Sequence, residues 1–432
     1  MAEPVEVTVR AVASGGEGVA DLPDGRVVFV PRTAPGDRAL IRIDKSKKRW
    51  ARGSLERLLD PGDDRVAAPC PLYAECGGCQ LQHLSYEAQT AWKGRFVVDA
   101  LERIGGLSGV APPEVVPSPE PYHYRNRISF TLRRLRGGRV VAGFHALARP
   151  AHVIDVRDEC LLPDRQVLNA WTALRGGWGA GARLLPDAGR LQLTLRSEPD
   201  GVALVVDGGE EGWRGEPLIE AVDDLASVWH KPSAGTGIAK LVGGTSAEGV
   251  APAFRQVNED AFALLREHVL ETVEATLGDH AATPDPSRES PPRAVDAYCG
   301  SGVFGRALAH RGWEVYGIEV DPAAVAAAGA EAPDGFHVRL GRVEEVLSEL
   351  LPARLLVLNP PRTGLDAALP EMILQQAPAA VLYVSCDPAT LGRDVAALST
   401  RFELTGLRAF DLFPQTAHVE TVAVLTLRGG AA

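Results

Sequence analysis

The sequence lacks the features of several protein classes. No apolar run reaches the roughly 18 residues that a membrane-spanning helix needs, and residues 1–10 lack the basic and apolar regions of a secretory signal peptide. Six cysteines in 432 residues argue against a disulfide scaffold. We therefore expect a cytoplasmic protein with no membrane partner, long enough to fold as two or three domains.

Basic residues are too few for nucleic-acid binding by the whole surface. The formal charge is −11, from 45 Lys and Arg against 56 Asp and Glu, so any such contact needs a local patch. Residues 38–57 contain eight basic residues against two acidic ones, and residues 124–139 contain six arginines and no acid. Each stretch can equally be a solvated face, so composition leaves its role open.

The first 60 residues predict a small β-barrel domain. Residues 5–60 alternate apolar and polar positions in short runs that are separated by Gly, Pro and Asp. Such barrels bind nucleic acid through a basic, partly aromatic face. Trp50 lies inside the basic run of this segment, which is consistent with that role.

A central domain is predicted over residues 61–250. It starts with a cysteine-rich loop at 70–83 and a helix at 85–104, for which Ser85 is the expected N-cap. From residue 122 to 245 the pattern is that of strands, including one at 151–156. We therefore expect this domain to be rich in β-structure.

The third predicted domain, residues 251–432, has an α/β pattern. A helix is expected at 260–277, and residues 279–292 form a polar, proline-rich linker that cannot support a core. Apolar strands then alternate with helices, which predicts a parallel sheet. Ligands of such sheets bind at the carboxyl ends of the strands.

A glycine-containing turn at residues 295–302 follows the first of these strands, where the backbone can approach a ligand closely. Glu319 ends the next strand, where a carboxylate can accept both hydroxyls of a ribose. The turn lacks the third glycine of a pyrophosphate site, which favours a cofactor without phosphates, such as S-adenosylmethionine. Without Glu319, a nucleotide-binding or purely structural turn would explain the glycines equally well.

Residues 359–362, Asn-Pro-Pro-Arg, follow another apolar strand of the sheet. Enzymes that methylate amino groups commonly place an aromatic residue after the two prolines, where it stacks on the target base. Arg362 stands at that position, which disfavours an exocyclic amine as the target.

Cys386 ends a strand and precedes a helix. A cysteine on a strand is usually a buried structural residue. At the carboxyl end of a strand it faces the ligand crevice, and the following helix N-terminus is expected to stabilise a thiolate. This position favours a nucleophile.

Methyl transfer to C5 of uracil requires such a nucleophile, because C5 is unreactive by itself. A thiolate that adds to C6 makes C5 nucleophilic, and a base must then remove the C5 proton. Glu420 opens the last strand of the chain and is the best candidate for the base. By position alone, a solvated acid at the end of a strand is the commoner explanation.

These residues resemble one family, the RNA uracil-C5 methyltransferases, which includes the bacterial enzymes that make 5-methyluridine in transfer RNA and in large-subunit ribosomal RNA. The resemblance covers nearly the whole chain. It is carried by residues 5–60 (the TRAM domain), 70–80 (a cluster-binding loop containing CGGCQ), 124–127 (YRNR), 385–394 (SCDPATLGRD) and 414–420 (PQTAHVE).

The resemblance implies an α/β protein with a Rossmann-like S-adenosylmethionine-dependent methyltransferase domain, an N-terminal TRAM β-barrel and a β-rich iron–sulfur central domain. Cys386 is similar to the family nucleophile and Glu420 to its base, whereas Cys299 has no implied catalytic role. The implied ligands of a [4Fe–4S] cluster are Cys70, Cys76, Cys79 and Cys160, although four thiolates can also hold zinc. The implied cofactor contacts are Gln256, Tyr298, Glu319 and Asn359.

The implied partner is structured RNA, and the protein is expected to be a monomer. The TRAM domain favours ribosomal RNA as the substrate, because transfer-RNA members of the group often lack it. The chain departs from the family at Val303, where asparagine is common, at Asn359, where aspartate is commoner, and in the alanine-rich segment 323–333.

Two rival functions are less consistent with the sequence. Cytosine-C5 methyltransferases of RNA carry their nucleophilic cysteine after a proline of the loop equivalent to 359–362, but no cysteine lies between residues 300 and 385. A non-catalytic RNA-binding iron–sulfur protein would have lost Cys386 or Glu420, and both are present.

Overall fold

The computed structural model describes residues 3–234, 237–243, 256–278, 291–330 and 332–429. In these ranges no helix is long and apolar enough to cross a membrane. The linker predicted at 279–292 lies outside the described residues, except for its last two. The described residues form three sheets, one of which closes into a barrel.

The barrel is built from the first five strands of the described chain. They are β1 Val5–Val12, β2 Gly18–Asp21, β3 Val27–Val30, β4 Arg38–Ser46 and β5 Trp50–Asp60. Their order is β1-β2-β3-β5-β4. Alternate apolar residues, among them Val9, Val28 and Ile41, fill the barrel interior. The predicted N-terminal barrel is confirmed.

The next two elements are helix α1, Tyr86–Arg103, and the short strand β6, Val115–Val116. The Ser85 side chain caps α1, because its Oγ accepts a hydrogen bond from the Ala88 amide at 3.2 Å. The sequence predicted this helix and its cap.

The central sheet is covered by a helix that the strand pattern did not predict. The strands are β7 Arg127–Arg134, β8 Val140–Gly143, β9 Arg190–Glu198, β10 Gly201–Asp207, β11 Leu225–Lys231 and β12 Ala239–Gly243, with helices α2 Arg165–Gly177 and α3 Glu216–Ile219. The order is β12-β11-β10-β9-β7-β8. Trp171 of α2 is fully buried and packs on Phe130 of β7.

The strand predicted at 151–156 is not a regular strand. Within this segment the structure has an isolated bridge between His145 and Val153. The side chain of Asp155 accepts a hydrogen bond from the Ala142 amide at 2.9 Å. The Asp155 carboxylate therefore accepts a hydrogen bond that a backbone carbonyl would accept in a regular strand pair, and it interrupts the ladder of backbone hydrogen bonds.

The third sheet alternates strands with helices. Its helices are α4 Glu259–Leu277, α5 Val303–Ala309, α6 Pro322–Ala330, α7 Val343–Leu350, α8 Leu369–Gln375 and α9 Pro388–Leu398. Its further strands are β13 Arg293–Ala297, β14 Glu314–Glu319, β15 Phe336–Leu340, β16 Leu355–Leu358, β17 Ala380–Ser385, β18 Phe402–Phe410 and β19 Glu420–Leu427. The order is β15-β14-β13-β16-β17-β19-β18-β6.

The expected parallel sheet holds for the part from β15 to β17. Every residue of β16 and β17 is buried, as is usual for strands covered by helices on both faces. Strand β19 runs antiparallel to both β17 and β18. A loop of nine residues, 411–419, joins β18 to β19 and is too short for a crossover helix.

Two elements that lie in the segment predicted as the central domain instead pack with the third sheet. Strand β6 pairs with β18 at the sheet edge, and Val97 and Leu101 of α1 lie in the same core as Leu391 and Val395 of α9. The domain limits at residues 60 and 250 stay a prediction, but residues 86–116 pack with the third sheet and, through Ala88 and Phe96, with the barrel.

Candidate active site

The carboxyl edge of the third sheet brings four predicted site residues into one row. Strands β14, β13, β16 and β17 are parallel neighbours in that order. Glu319 ends β14, whereas Tyr298, Asn359 and Cys386 each follow the last residue of their strand. Because parallel strands end at the same sheet edge, these side chains border one crevice.

The turn after β13 has a tightly determined backbone. Tyr298 has a φ of +62°, and Gly302, at the start of α5, has a φ of +78°. A Cβ atom at Gly302 would lie 2.7 Å from the Phe336 ring, so a larger residue does not fit there. Asp296 Oδ2 accepts a hydrogen bond from the Gly305 amide at 2.8 Å, and burial raises the pKa of Asp296 to about 7.

The Glu319 carboxylate is oriented by backbone donors. Its Oε2 accepts from the Gly300 amide at 2.9 Å, and its Oε1 accepts from the amides of Val320 and Asp321 at 2.8 and 2.9 Å. The side chain is thus fixed beside the turn. These bonds use both acceptor sites of Oε1 and one of Oε2, so Oε2 keeps a site for a ligand hydroxyl.

Cys386 and Glu420 are neighbours through the register of β17 and β19. The antiparallel pairing reaches Ser385 opposite Thr421, so the next position on each strand brings Cys386 beside Glu420. Their charges interact, since Glu420 raises the pKa of the Cys386 thiol. The predicted nucleophile and base therefore lie at one end of the row.

The helix N-terminus does not stabilise a Cys386 thiolate in the expected way. Burial, with a smaller contribution from Glu420, raises the pKa of Cys386. Asp387 is the N-cap of α9, and its Oδ1 accepts from the amides of Ala389 and Thr390 at 2.9 and 3.0 Å. The helix donors that were expected to favour the thiolate are therefore bound to Asp387.

Arg362 supplies positive charge to this end of the row. Its positive charge lowers the pKa of both Cys386 and Glu420, against the larger effect of burial, which raises them. Burial raises the pKa of Glu420, which is 7% exposed, to about 8. Burial lowers the pKa of His418 to about 4, with Arg362 as the next cause. In the sequence, Arg362 was considered only as evidence against an exocyclic amine target. Its effect on the pKa of Cys386 and Glu420 was missed, although a cation just after a strand at the crevice could have indicated it.

The loop that carries Arg362 is tied to the strand that carries Cys386. Buried Asp394 of α9 accepts from the Tyr383 hydroxyl at 2.6 Å and from the Leu365 amide at 2.9 Å, both at Oδ2. Tyr383 belongs to β17. Arg362 and Cys386 therefore have a common anchor, which the sequence analysis did not identify.

Comparison with known proteins finds similarity to RNA methyltransferases. The tRNA (uracil-5-)-methyltransferase family model matches residues 338–428, and the TRAM domain model matches residues 3–55. RNA methyltransferases of Halalkalibacterium halodurans and Thermosynechococcus vestitus are 31% and 33% identical to this chain; both alignments cover 98% of it, and 97% and 98% of those proteins.

A solved structure is similar over the whole length. It is the Pyrococcus abyssi tRNA (uracil-54, C5)-methyltransferase in complex with S-adenosyl-L-homocysteine, which is 25% identical, has a TM-score of 0.72, and aligns with 98% of this chain and 99% of its own. The chain belongs to the RNA (uracil-5-)-methyltransferase family. It is therefore an enzyme, and its third sheet has the S-adenosylmethionine-dependent methyltransferase fold.

In this family member, Gln256 is placed by the central domain. It precedes α4, and its carbonyl oxygen accepts from Asn126 Nδ2 at 2.9 Å. The Asn126 amide donates to the Val257 carbonyl at 3.0 Å. The residues 124–127 that resemble the family thus fix the segment containing Gln256.

Four of the six cysteines come together in the central domain. Cys70, Cys76, Cys79 and Cys160, here called the cysteine cage, line one small cavity whose other walls are mainly apolar. Burial raises the pKa of Cys79 to about 11 and that of Cys160 to about 12. Among the described residues, no three His, Cys, Asp or Glu side chains are arranged so that they could hold a metal ion.

The two basic stretches differ in the structure. Lys47, Lys48 and Arg49 are exposed on the barrel, and Lys45 lies over the Trp50 ring at 5.7 Å. In the second stretch, Arg134 is used for folding and donates to five backbone carbonyls, those of Gly181, Ala182, Leu185, Pro186 and Ala188. The exposed basic run on the barrel is therefore a candidate for an RNA-binding surface.

Proposed function

We propose that this enzyme transfers a methyl group from S-adenosylmethionine to C5 of a uridine in structured RNA, with Cys386 as the nucleophile and Glu420 as the base. The observation that carries the proposal is the pairing of these two residues at the crevice, at the end of the row formed by Glu319, Tyr298 and Asn359. A thiol and a buried carboxyl at adjacent positions match the two roles that the reaction requires.

The chemistry proceeds through a covalent adduct. Cys386 gives its proton to solvent, and its Sγ forms a bond to C6 of the uracil ring while the C5–C6 double bond opens and its electron pair moves to C5 and the neighbouring carbonyl. C5 then attacks the methyl group of the sulfonium cofactor, which leaves as S-adenosylhomocysteine. Glu420 removes the proton from C5, the C5–C6 double bond re-forms and the Sγ–C6 bond breaks. C6 is accessible only when the uridine leaves its base stack.

Arg362 assists both groups in this scheme. Burial favours the neutral forms of Cys386 and Glu420, whereas the guanidinium favours their anions. The Glu420 pKa of about 8 is well suited to proton transfer near neutral pH.

For the cofactor, we assign the ribose hydroxyls to Glu319 and further contacts to Gln256, Tyr298 and Asn359. The support is the row of strand ends and the fixed orientation of the Glu319 carboxylate. The Pyrococcus abyssi neighbour was crystallised with S-adenosyl-L-homocysteine, the product that this cofactor would leave.

We further propose that the cysteine cage binds a [4Fe–4S] cluster. Four thiols line one mainly apolar cavity, and thiolates are the usual ligands of iron–sulfur clusters. Among the described residues no three of them stand in a metal-binding arrangement, so cluster binding would have to draw the thiols together. When bound, the cluster would link residues 70–79 to Cys160. Anaerobically purified protein should be brown and contain about four irons per chain. Stoichiometric zinc without iron would refute this assignment.

The RNA substrate itself stays a prediction. The TRAM domain does not distinguish ribosomal from transfer RNA as the substrate, since a transfer-RNA enzyme aligns with 98% of this chain. Mass-spectrometric mapping of 5-methyluridine in RNA from cells with the gene, without it, and with Cys386→Ala decides the question. We expect specific uridines to lose the methyl group in the last two strains. Unchanged methylation in both would contradict the proposed function.

A further inference from the structure

The loop that leads into Glu420, residues 411–419, is here called the base loop. It connects β18 to β19 at the crevice, yet many of its contacts come from residues about 290 or more positions earlier in the chain. Buried Lys93 of α1 donates to Asp411 Oδ1 at 2.6 Å and to the Phe413 carbonyl at 3.1 Å. The Tyr124 hydroxyl donates to the Pro414 carbonyl at 3.0 Å.

Gln415 is the point at which the cysteine-rich loop meets the base loop. Its carbonyl oxygen accepts from the amides of Gln80 and Leu81 at 2.9 and 3.0 Å. These two residues directly follow Cys79 of the cysteine cage. Gln415 is only 1% exposed and has a φ of +67°, a conformation that costs a non-glycine residue energy and persists only where its surroundings fix it.

The side chain of Gln89 fixes that conformation from α1. Gln89 Nε2 donates to Gln415 Oε1 at 3.0 Å, and Gln89 Oε1 accepts from the Gln415 amide at 3.1 Å. Gln415 Nε2 also donates to the Pro121 carbonyl at 3.3 Å. Both glutamines are 1% exposed, so a lost partner would leave a buried polar group unsatisfied.

These contacts reach the base but not the nucleophile. Glu420 follows Gln415 by five residues, whereas Cys386 is positioned by β17 and by the Asp387 cap of α9. A displacement of about 1 Å can lower the rate of a chemical step by roughly a hundredfold. A disturbance at Gln415 should therefore act on Glu420 first.

We propose that Gln415 is a positioning residue that couples the cysteine-rich loop to Glu420, so that its loss slows removal of the C5 proton more than addition of Cys386 to C6. The proposal rests on the proposed roles of Cys386 and Glu420. It predicts a specific failure, in which methylated RNA stays attached to the enzyme. General unfolding would instead lower adduct and product together.

The test uses Gln415→Ala and Gln89→Ala with methyl-labelled cofactor and substrate RNA. Released 5-methyluridine should fall on the order of tenfold or more, while the covalent adduct on a denaturing gel increases. Gln192→Ala is the matched control, because Gln192 accepts a hydrogen bond from Thr131 in the central sheet at 3.0 Å, away from the base loop. It should leave both quantities unchanged.

Two results would overturn the proposal: adduct and product falling in parallel in both variants, or neither changing. Glu420→Gln serves as the benchmark for a blocked base. If Glu420→Gln itself accumulates no adduct, the proposed mechanism has failed. If Glu420→Gln accumulates adduct and the glutamine variants do not, only the role of Gln415 is wrong.

The link to the cysteine cage has a separate measurement that does not depend on activity. In Cys70→Ser, amide hydrogen exchange should become faster in residues 411–419, whereas β13 and β14 keep their protection. Cys70 is chosen because it lies nine residues before Cys79 and has no described contact with Gln415. Unchanged exchange in the base loop would show that the cage does not act through Gln415.

Discussion

Cys386 and Glu420 are neighbours at the crevice, but different parts of the chain hold them in place. Cys386 follows a strand whose six residues are all buried, and the next residue caps the following helix. Glu420 follows a loop held by Gln89, Lys93 and Tyr124, about 290 to 326 residues earlier in the chain. The nucleophile is thus positioned locally, whereas the base depends on contacts with α1 and the cysteine-rich loop.

This difference makes the two catalytic roles separable by mutation. A change in β17 or α9 should affect formation of the adduct. A change at Gln89 or Lys93 of α1, in the cysteine-rich loop or in the base loop should affect its resolution. The following predictions test this division, from the largest expected effect to the smallest.

Replacing the nucleophile should have the largest effect. Cys386→Ala is expected to lower methylation by a factor on the order of 10⁴ or more, as for other enzymes that lose a covalent nucleophile. Gln192→Ala is the control, because Gln192 lies in the central sheet, away from the crevice. Methyl incorporation into RNA measures both. A variant Cys386→Ala with residual activity similar to that of Gln192→Ala would contradict the assignment.

Breaking the buried ion pair behind the base loop should destabilise the protein. Lys93 and Asp411 are both 0% exposed, with Nζ and Oδ1 2.6 Å apart. Lys93→Met leaves the Asp411 carboxylate buried without its partner, which should lower the free energy of unfolding by about 3–5 kcal/mol. Denaturant unfolding measures this loss. The double variant Lys93→Met/Asp411→Leu should recover most of it, and equal losses in both would show that the pairing is not the cause.

The pH should act on the base through its raised pKa. Glu420 has a pKa of about 8, so below that pH most of the carboxyl is protonated and cannot accept the C5 proton. Release of product from a preformed adduct should therefore become faster as pH rises towards 8, about tenfold per unit well below the pKa. Rapid-mixing experiments between pH 6 and pH 9 measure this rate. A release rate that is independent of pH would argue against Glu420 as the base.

The smallest expected effect concerns the barrel, which lies far from Cys386 and Glu420 in the sequence. Replacing Lys47, Lys48 and Arg49 by alanine should weaken RNA binding and flatten its salt dependence, by a slope of roughly 0.7–0.9 per lost phosphate contact. The ratio of adduct to product should not change. An unchanged salt slope would show that these exposed residues are only a solvated face.

Much of the structure around Cys386 could be predicted from the sequence, because the residue patterns that indicate it are local. Apolar strands, the glycines at 300 and 302, and the polar residues at strand ends all follow from short-range patterns. The same local reasoning failed for the Cys386 thiolate, since it did not anticipate that Asp387 would bind the helix amides. It also missed α2, whose segment was assigned to strands.

The position of Glu420 depends on hydrogen bonds between residues far apart in sequence, which no local pattern predicts. Gln89 and Gln415 are 326 residues apart in sequence, and nothing near either residue indicates the other. One signal was available, because Lys93 lies on the face of α1 that also carries the buried Phe96 and Val97. A lysine at a buried helical position needs a partner, and Asp411 provides it.

The central claim, that Cys386 forms the adduct and Glu420 resolves it, is tested most directly on one denaturing gel. Each variant is incubated with substrate RNA and methyl-labelled cofactor, and the labelled protein–RNA adduct is compared with released product. We predict that Cys386→Ala gives neither adduct nor product, because nothing activates C5. Glu420→Gln should accumulate a methylated adduct without turnover, since an amide cannot accept the proton. An adduct with Cys386→Ala, or full turnover by Glu420→Gln, would contradict the account.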